Sequence, residues 1–134
     1  MNYLLDTNIC VYFIRGKKNI ADKFSEIGIE HLFISEMTVG ELLYGAQCSD
    51  RPLENLNAVN VFCQYVTIVP TAEIWNEFAA QKAFLRKNGL LIEDADIIIG
   101  TTSIANGMVM VTENIKHIGR LNGIKTENWV NSLK

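Results

Sequence analysis

Four places along the chain carry oxygen-bearing side chains that could act together: Asp6, Glu41, Asp96 and the adjacent pair Glu113-Asn114. Carboxylates gathered in one cleft repel each other unless they share a proton or a cation. Magnesium takes oxygen ligands and is usually held by one or two carboxylates, several waters and substrate phosphates. Two such ions about 4 Å apart stabilise the attacking and leaving oxygens of a phosphodiester displacement. These residue types point to metal-assisted phosphoryl chemistry if the fold brings them together. His31 and His117 are the only histidines, and Cys10, Cys48 and Cys63 form no Cys-x-x-Cys pair. Neither an imidazole-rich site nor a disulfide framework fits, so any metal is held by oxygen and the thiols are expected buried and free. The sequence has no Walker glycine loop, Gly-x-Ser-x-Gly elbow or dinucleotide fingerprint to suggest another class.

The elements that must position these residues follow from the apolar pattern. Tyr3-Leu4-Leu5 is a short apolar run with no polar face, which reads as a central strand buried on both sides. Asp6 then stands at its carboxyl end, where ligands bind in open α/β sheets. Thr7 or Asn8 can cap the next helix, and Asp6 competes for that role. The first helix is expected from Thr7 to Arg15 with Gly16 as its stop, and the second from Asn19 to Ile27. Leu32-Phe33-Ile34 is a second strand with Ser35 at its end, and the following helix carries Met37, Leu42, Leu43 and Tyr44 and stops near Gly45. Pro52 restarts helix, with Leu53, Leu56, Asn60 and Cys63 on one face.

Val66-Thr67-Ile68-Val69 alternates as a third strand ending at Pro70. Thr71 is placed to cap a helix with Trp75, Phe78, Ala79, Lys82 and Leu85 on one side, ending at Gly89. Asp94 to Asn106 is a helix closed by Gly107 and apolar on most sides, hence deeply buried. Met108 to Val111 is a fourth strand, and a looser tail holds Ile118, Leu121, Ile124 and Trp129. Strands alternating with helices imply an α/β fold with a central parallel sheet of four to five short strands, helices on both faces.

Each acid also has a structural explanation. Thr38-x-x-Glu41 matches a capping box, but Ser35 lies directly at the strand end and is the more natural cap, which moves Glu41 into the second turn. Asp96 could cap its helix or favour the helix dipole, and Asp94 competes for that role. Two residues of helix turn a side chain by about 200°, so Asp94 and Asp96 cannot face one ion equally. The rigid buried helix favours Asp96 for chemistry and leaves Asp94 as a cap or a solvent-facing charge. Glu113 is the weakest of the set, since an acid in a surface loop needs no explanation.

The 134 residues are expected to form a single domain over 1–134 with one core. With 49% hydrophobic and 20% charged residues the chain is globular. No apolar run approaches the roughly 20 residues that span a bilayer, and the start lacks a signal peptide's pattern, so a cytoplasmic location is expected. The formal charge of −3 does not exclude a nucleic-acid partner: setting aside Asp6, Glu41 and Asp96 leaves 12 of the 15 acids, matching the 12 bases.

The motifs resemble a known family. Tyr3-Leu4-Leu5-Asp6-Thr7-Asn8 is similar to the start of PIN-domain nucleases, particularly VapC toxins of bacterial toxin–antitoxin pairs. Ile34 to Gly45 resembles the second motif, in which the glutamate (here Glu41) is catalytic, and Asp96-Ile97-Ile98-Ile99-Gly100-Thr101 resembles the third. Val111-Thr112-Glu113-Asn114 with His117 resembles the fourth, and Lys125 to Trp129 is also family-like. The resemblance spans the chain and implies that Asp6, Glu41 and Asp96 bind Mg²⁺ or Mn²⁺ and position the water that cuts RNA. It also implies a homodimer and a small VapB-like antitoxin. Many relatives carry Asp at the fourth position, where Asn114 stands here; its carbonyl oxygen could ligate without adding charge, with Glu113 as the alternative. Gly100-Thr101 replaces paired alanines, a change for helix packing more than chemistry. Lys116 and Arg120 flank the fourth motif and are the candidate RNA-phosphate contacts.

Two other classes compete. A phosphatase with a nucleophilic aspartate after its first strand typically has a second acid two residues on, and position 8 is Asn. A non-catalytic PIN module that only binds RNA or a protein partner has no need of all three acids.

Overall fold

The computed structural model describes residues 1–130. Five strands, β1 (Tyr3–Leu5), β2 (Leu32–Ser35), β3 (Thr67–Val69), β4 (Val109–Val111) and β5 (Thr126–Glu127), form one sheet in the order β3-β2-β1-β4-β5. Every pairing is parallel. The helices are α1 (Thr7–Ile14), α2 (Ile20–Ile27), α3 (Glu36–Gln47), α4 (Pro52–Tyr65), α5 (Trp75–Lys87), α6 (Asp94–Ala105) and α7 (Ile115–Ile118). Among the described residues no helix is long and apolar enough to cross a membrane.

Neighbouring side chains of a strand point to opposite faces, and β1 fills both. Leu5 joins Ile9, Cys10, Phe24, Ile34, Leu42 and Phe62 on the side covered by α1 to α4. Leu4 packs with Ile99, Met110 and Ile118 on the other side, under α6 and α7. The tail is less loose than its sequence suggests. Lys125 accepts from Met110 and Glu127 from Thr112 through their backbones, which adds β5 to the edge, and Trp129 packs tilted against Tyr3 and edge-on to Phe24.

Several sequence expectations change. Helix α3 runs past Gly45 to Gln47, because Gly45 keeps helical backbone and the end comes at Cys48, whose N–H bonds back to Tyr44. Cys48 is consequently exposed; Cys10 alone of the three thiols is fully buried. In α4 the inward positions are Val59 and Phe62, while Leu53 is 85% exposed. Thr71 does not cap α5: its N–H and hydroxyl both donate to the Glu36 carboxylate, and the helix starts only at Trp75.

The inner stripe of α5 is likewise rotated, and Gln81 and Leu85 are its buried residues. Gln81 Nε2 donates to the Asn122 carbonyl at 2.8 Å and its Oε1 accepts from the Asn122 N–H at 2.9 Å. This clamp fixes the segment after α7 against α5. Gln81→Leu should lower stability by about 1–2 kcal/mol, the scale of two modest hydrogen bonds. A urea melt with an unchanged midpoint and slope would contradict that role.

Candidate active site

β1 lies in the middle of the sheet, with β2 and β3 on one side and β4 and β5 on the other. The chain builds outward from β1 to β3 and then returns to lay β4 on the opposite flank. The carboxyl edge between β1 and β4 is therefore the switch point, the crevice where open α/β sheets bind ligands. Asp6 and Thr112, the residues directly after those two strands, meet there.

Asp6 is only 8% exposed, and each of its oxygens is held. Oδ1 accepts from the Thr7 N–H and Oδ2 from the Thr112 hydroxyl, both at 2.8 Å, while its own N–H donates to Val111. Asp6 is thus the cap of α1 and a cleft carboxylate at once. Burial raises its pKa, and the bonds from Thr112 and Thr7 offset that only in part.

Glu41 comes from the second turn of α3. Ser35 caps that helix, its Oγ accepting from the Met37 N–H at 3.0 Å, so Glu41 is released from any capping box. Its Oε1 instead accepts from the Thr7 hydroxyl at 2.6 Å. Asp96 lies in the first turn of α6, half-buried. Its pKa is raised to about 6, first by burial and then by the negative charges of Asp6, Glu41 and Glu93. The three acids, drawn from β1, α3 and α6, therefore lie within electrostatic reach of one another.

Asp94 has a different place. It forms no cap; it is exposed, and one oxygen lies 2.9 Å from Lys82 Nζ on α5. Around the fourth motif the side chains separate. Glu113 turns to α1, where Tyr12 donates to it at 2.6 Å. Asn114 donates through its N–H to the Thr112 hydroxyl, and its Oδ1 lies 2.9 Å from His117 Nδ1. Lys116 is exposed on α7, whereas Arg120 directs its guanidinium to the carbonyls of Leu90 and Leu91 at 3.3 and 3.5 Å. The site roles missed in the sequence are those of Thr7, Thr38 and Thr112: the Thr112 hydroxyl holds Asp6, the Thr7 hydroxyl holds Glu41, and the Thr38 hydroxyl lies 3.1 Å from that of Thr7. Their only sequence signals are that Thr7 follows Asp6, Thr112 follows a strand end and Thr38 stands three residues before Glu41.

The family model described as PIN domain matches residues 3–121. The chain belongs to the PIN-domain family. Among its relatives, Ribonuclease VapC2 of Haemophilus influenzae is 33% identical over 132 residues, covering 97% of this chain and 99% of that protein. The tRNA(fMet)-specific endonuclease VapC of Shigella flexneri is 28% identical over 96% of this chain and 98% of its own length. A solved structure of VapBC2 from Rickettsia felis, bound to a DNA fragment from their promoter, superposes with a TM-score of 0.89 at 29% identity, covering 96% of this chain and 99% of that one. These relatives place this PIN domain in the VapC group.

The residues of this PIN domain suit a hard divalent cation by donor type. Among the described residues, no three His, Cys, Asp or Glu side chains lie close enough to enclose an ion unaided. Magnesium does not require such a cage, because waters and substrate phosphates complete its shell. None of the described ion pairs involves Asp6, Glu41 or Asp96, and a bound cation would relieve their mutual repulsion.

Proposed function

We propose that this chain is a Mg²⁺- or Mn²⁺-dependent endoribonuclease that cuts RNA phosphodiester bonds as the toxin of a toxin–antitoxin pair. The observation that carries the reading is the convergence of Asp6, Glu41 and Asp96 from three separate elements, with Asp6 and Glu41 joined through Thr7 and both close enough to add to the burial that raises the Asp96 pKa. The names of the VapC relatives, ribonuclease and tRNA(fMet)-specific endonuclease, support the RNA substrate.

Asp6, Glu41 and Asp96 would hold the cation, with Asn114 as the fourth, uncharged position, since Glu113 is engaged by Tyr12. When bound, the cation supplies charge neutralisation at the scissile phosphate and activation of the attacking water. The protein's part is placement. Asp6 is immobilised by two bonds at a buried strand end, Glu41 is tethered through Thr7, and Asp96 rides on a helix packed into the core. Lys116 is the better candidate of the two bases for RNA phosphate, because Arg120 is committed to the connector before α6.

The toxin works in the cytoplasm as a homodimer restrained by a small VapB-like antitoxin. A groove of about 340 Å³ between α1, α3 and α4 is lined by Val11, Ile14, Leu42 and Val59, with Arg15 and Glu41 among its polar residues. An antitoxin segment seated there would touch Glu41.

Incubating the purified protein with total cellular RNA, with and without Mg²⁺, and mapping new 5′ ends tests this function. Discrete ends should appear only with Mg²⁺ or Mn²⁺. Undiminished cutting by metal-free protein in excess EDTA would refute the metal requirement, and intact RNA under every metal condition would refute the nuclease.

A further inference from the structure

Thr7 touches two of the three carboxylates, one through each of its polar ends. Its N–H donates to Asp6 Oδ1 at 2.8 Å, and its hydroxyl lies 2.6 Å from Glu41 Oε1, 34 residues away in sequence. A hydroxyl has one proton, and an ionised carboxylate only accepts. The short contact to Glu41 therefore uses the Thr7 proton. The neighbouring contact, 3.1 Å between the Thr7 and Thr38 hydroxyls, must then run with Thr38 as donor. Thr38 is fully buried, so that proton is sheltered from water. The result is a directed chain, Thr38 to Thr7 to Glu41, that ends on a carboxylate of the site.

We propose that Thr7 is a positioning residue for Glu41, with the buried Thr38 fixing the direction of its hydroxyl. A glutamate side chain on its own carries considerable rotamer freedom, and ordering it costs free energy each time a ligand binds. The charge-assisted bond from Thr7 removes much of that freedom beforehand. Because the backbone N–H of the same residue is capped by Asp6, Thr7 also sets the spacing between the acid after β1 and the acid on α3. Thr7 is partly exposed beside the cleft, yet its hydroxyl is taken up by Glu41 and Thr38, so a direct role toward substrate is not needed to explain it.

The inference rests on the proposed metal-dependent reaction, and its test reads metal binding as well as cleavage. Mn²⁺ is titrated calorimetrically into metal-free wild type, Thr7→Val and Thr7→Ser, and RNA cleavage is followed in parallel. Val keeps the shape of Thr and removes the hydroxyl; Ser keeps the hydroxyl and removes the methyl. Thr7→Val should bind Mn²⁺ about 10- to 100-fold more weakly, the usual loss when an outer-shell partner is removed. Its kcat should fall while its KM for RNA stays near the wild-type value, and Thr7→Ser should recover most of both losses.

Equal Mn²⁺ affinity in Thr7→Val and wild type would overturn the inference, as would a Thr7→Ser defect as large as that of Thr7→Val. Wild type that neither binds Mn²⁺ nor cleaves RNA would instead overturn the functional reading beneath it. Melting curves of the metal-free proteins establish folding. If Thr7→Val does not fold, Thr38→Val reads the same chain one hydroxyl upstream: a weakened Mn²⁺ affinity supports the relay, and an unchanged one overturns it.

Discussion

Asp96→Asn should remove RNA cleavage from a protein that still folds, whereas Asp94→Asn should keep most of it. The two acids sit two residues apart in the first turn of α6, turned about 200° from each other. Asp96 feels Asp6 and Glu41, and Asp94 pairs with Lys82 on the far side. Asn preserves the size of Asp96 and removes one charge from a site expected to bind a cation. Several kcal/mol of charge stabilisation at the phosphate are at stake, so the rate should fall about 10³-fold or more. Asp94→Asn loses a surface ion pair worth at most about 1 kcal/mol. Initial rates on one RNA, with circular dichroism of both variants, decide it. Lost cleavage in folded Asp94→Asn together with retained cleavage in Asp96→Asn would reverse the assignment.

The second large effect is on melting temperature. Asp96 holds its proton up to a pH of about 6 in the folded protein, against about 3.9 for an ordinary Asp in an unfolded chain. Between those values the native state binds more protons than the unfolded one, so this group's contribution to stability falls as pH rises. It is full below the unfolded pKa and gone above the folded one. Metal-free Asp96→Asn lacks that dependence. Its melting temperature relative to wild type should therefore rise between about pH 4 and pH 6 and level off above.

Divalent metal acts in the opposite direction. Mn²⁺ at about 100 times its dissociation constant should add roughly 2.7 kcal/mol, a rise on the order of 10 °C. The gain should be large at pH 7.5 and smaller at pH 5, where protons compete for the same oxygens. Scanning calorimetry across pH, with and without Mn²⁺, reads both effects. A wild-type melting curve that saturating Mn²⁺ leaves unmoved at pH 7.5 would contradict a cation site built from these acids.

Much of the architecture is legible in the sequence because its signals are local. The apolar run Tyr3-Leu4-Leu5, the Ser35 cap and the stop at Gly107 are each fixed by neighbouring residues, and they place Asp6, Glu41 and Asp96 correctly on their elements. What was not legible depends on partners far along the chain. Thr71 has the composition of a cap but is captured by Glu36, 35 residues earlier. The inward faces of α4 and α5 are set by how those helices pack, so Leu53 and Trp75 face outward although their spacing suits a core. Gln81 gives no apolar signal, yet it is buried because Asn122 supplies both of its backbone partners. Within the site, Thr112 and Asp6 meet across 106 residues, and only the β1–β4 pairing brings them together.

The most direct test compares wild type with Asp6→Asn, purified identically and incubated with the same RNA and Mg²⁺. Asn caps a helix as well as Asp, so α1 should remain in place while the buried charge at the switch point is removed. Wild type should generate discrete new 5′ ends that are absent with Asp6→Asn. The same ends appearing at the same rate in both would contradict a nuclease centred on these carboxylates.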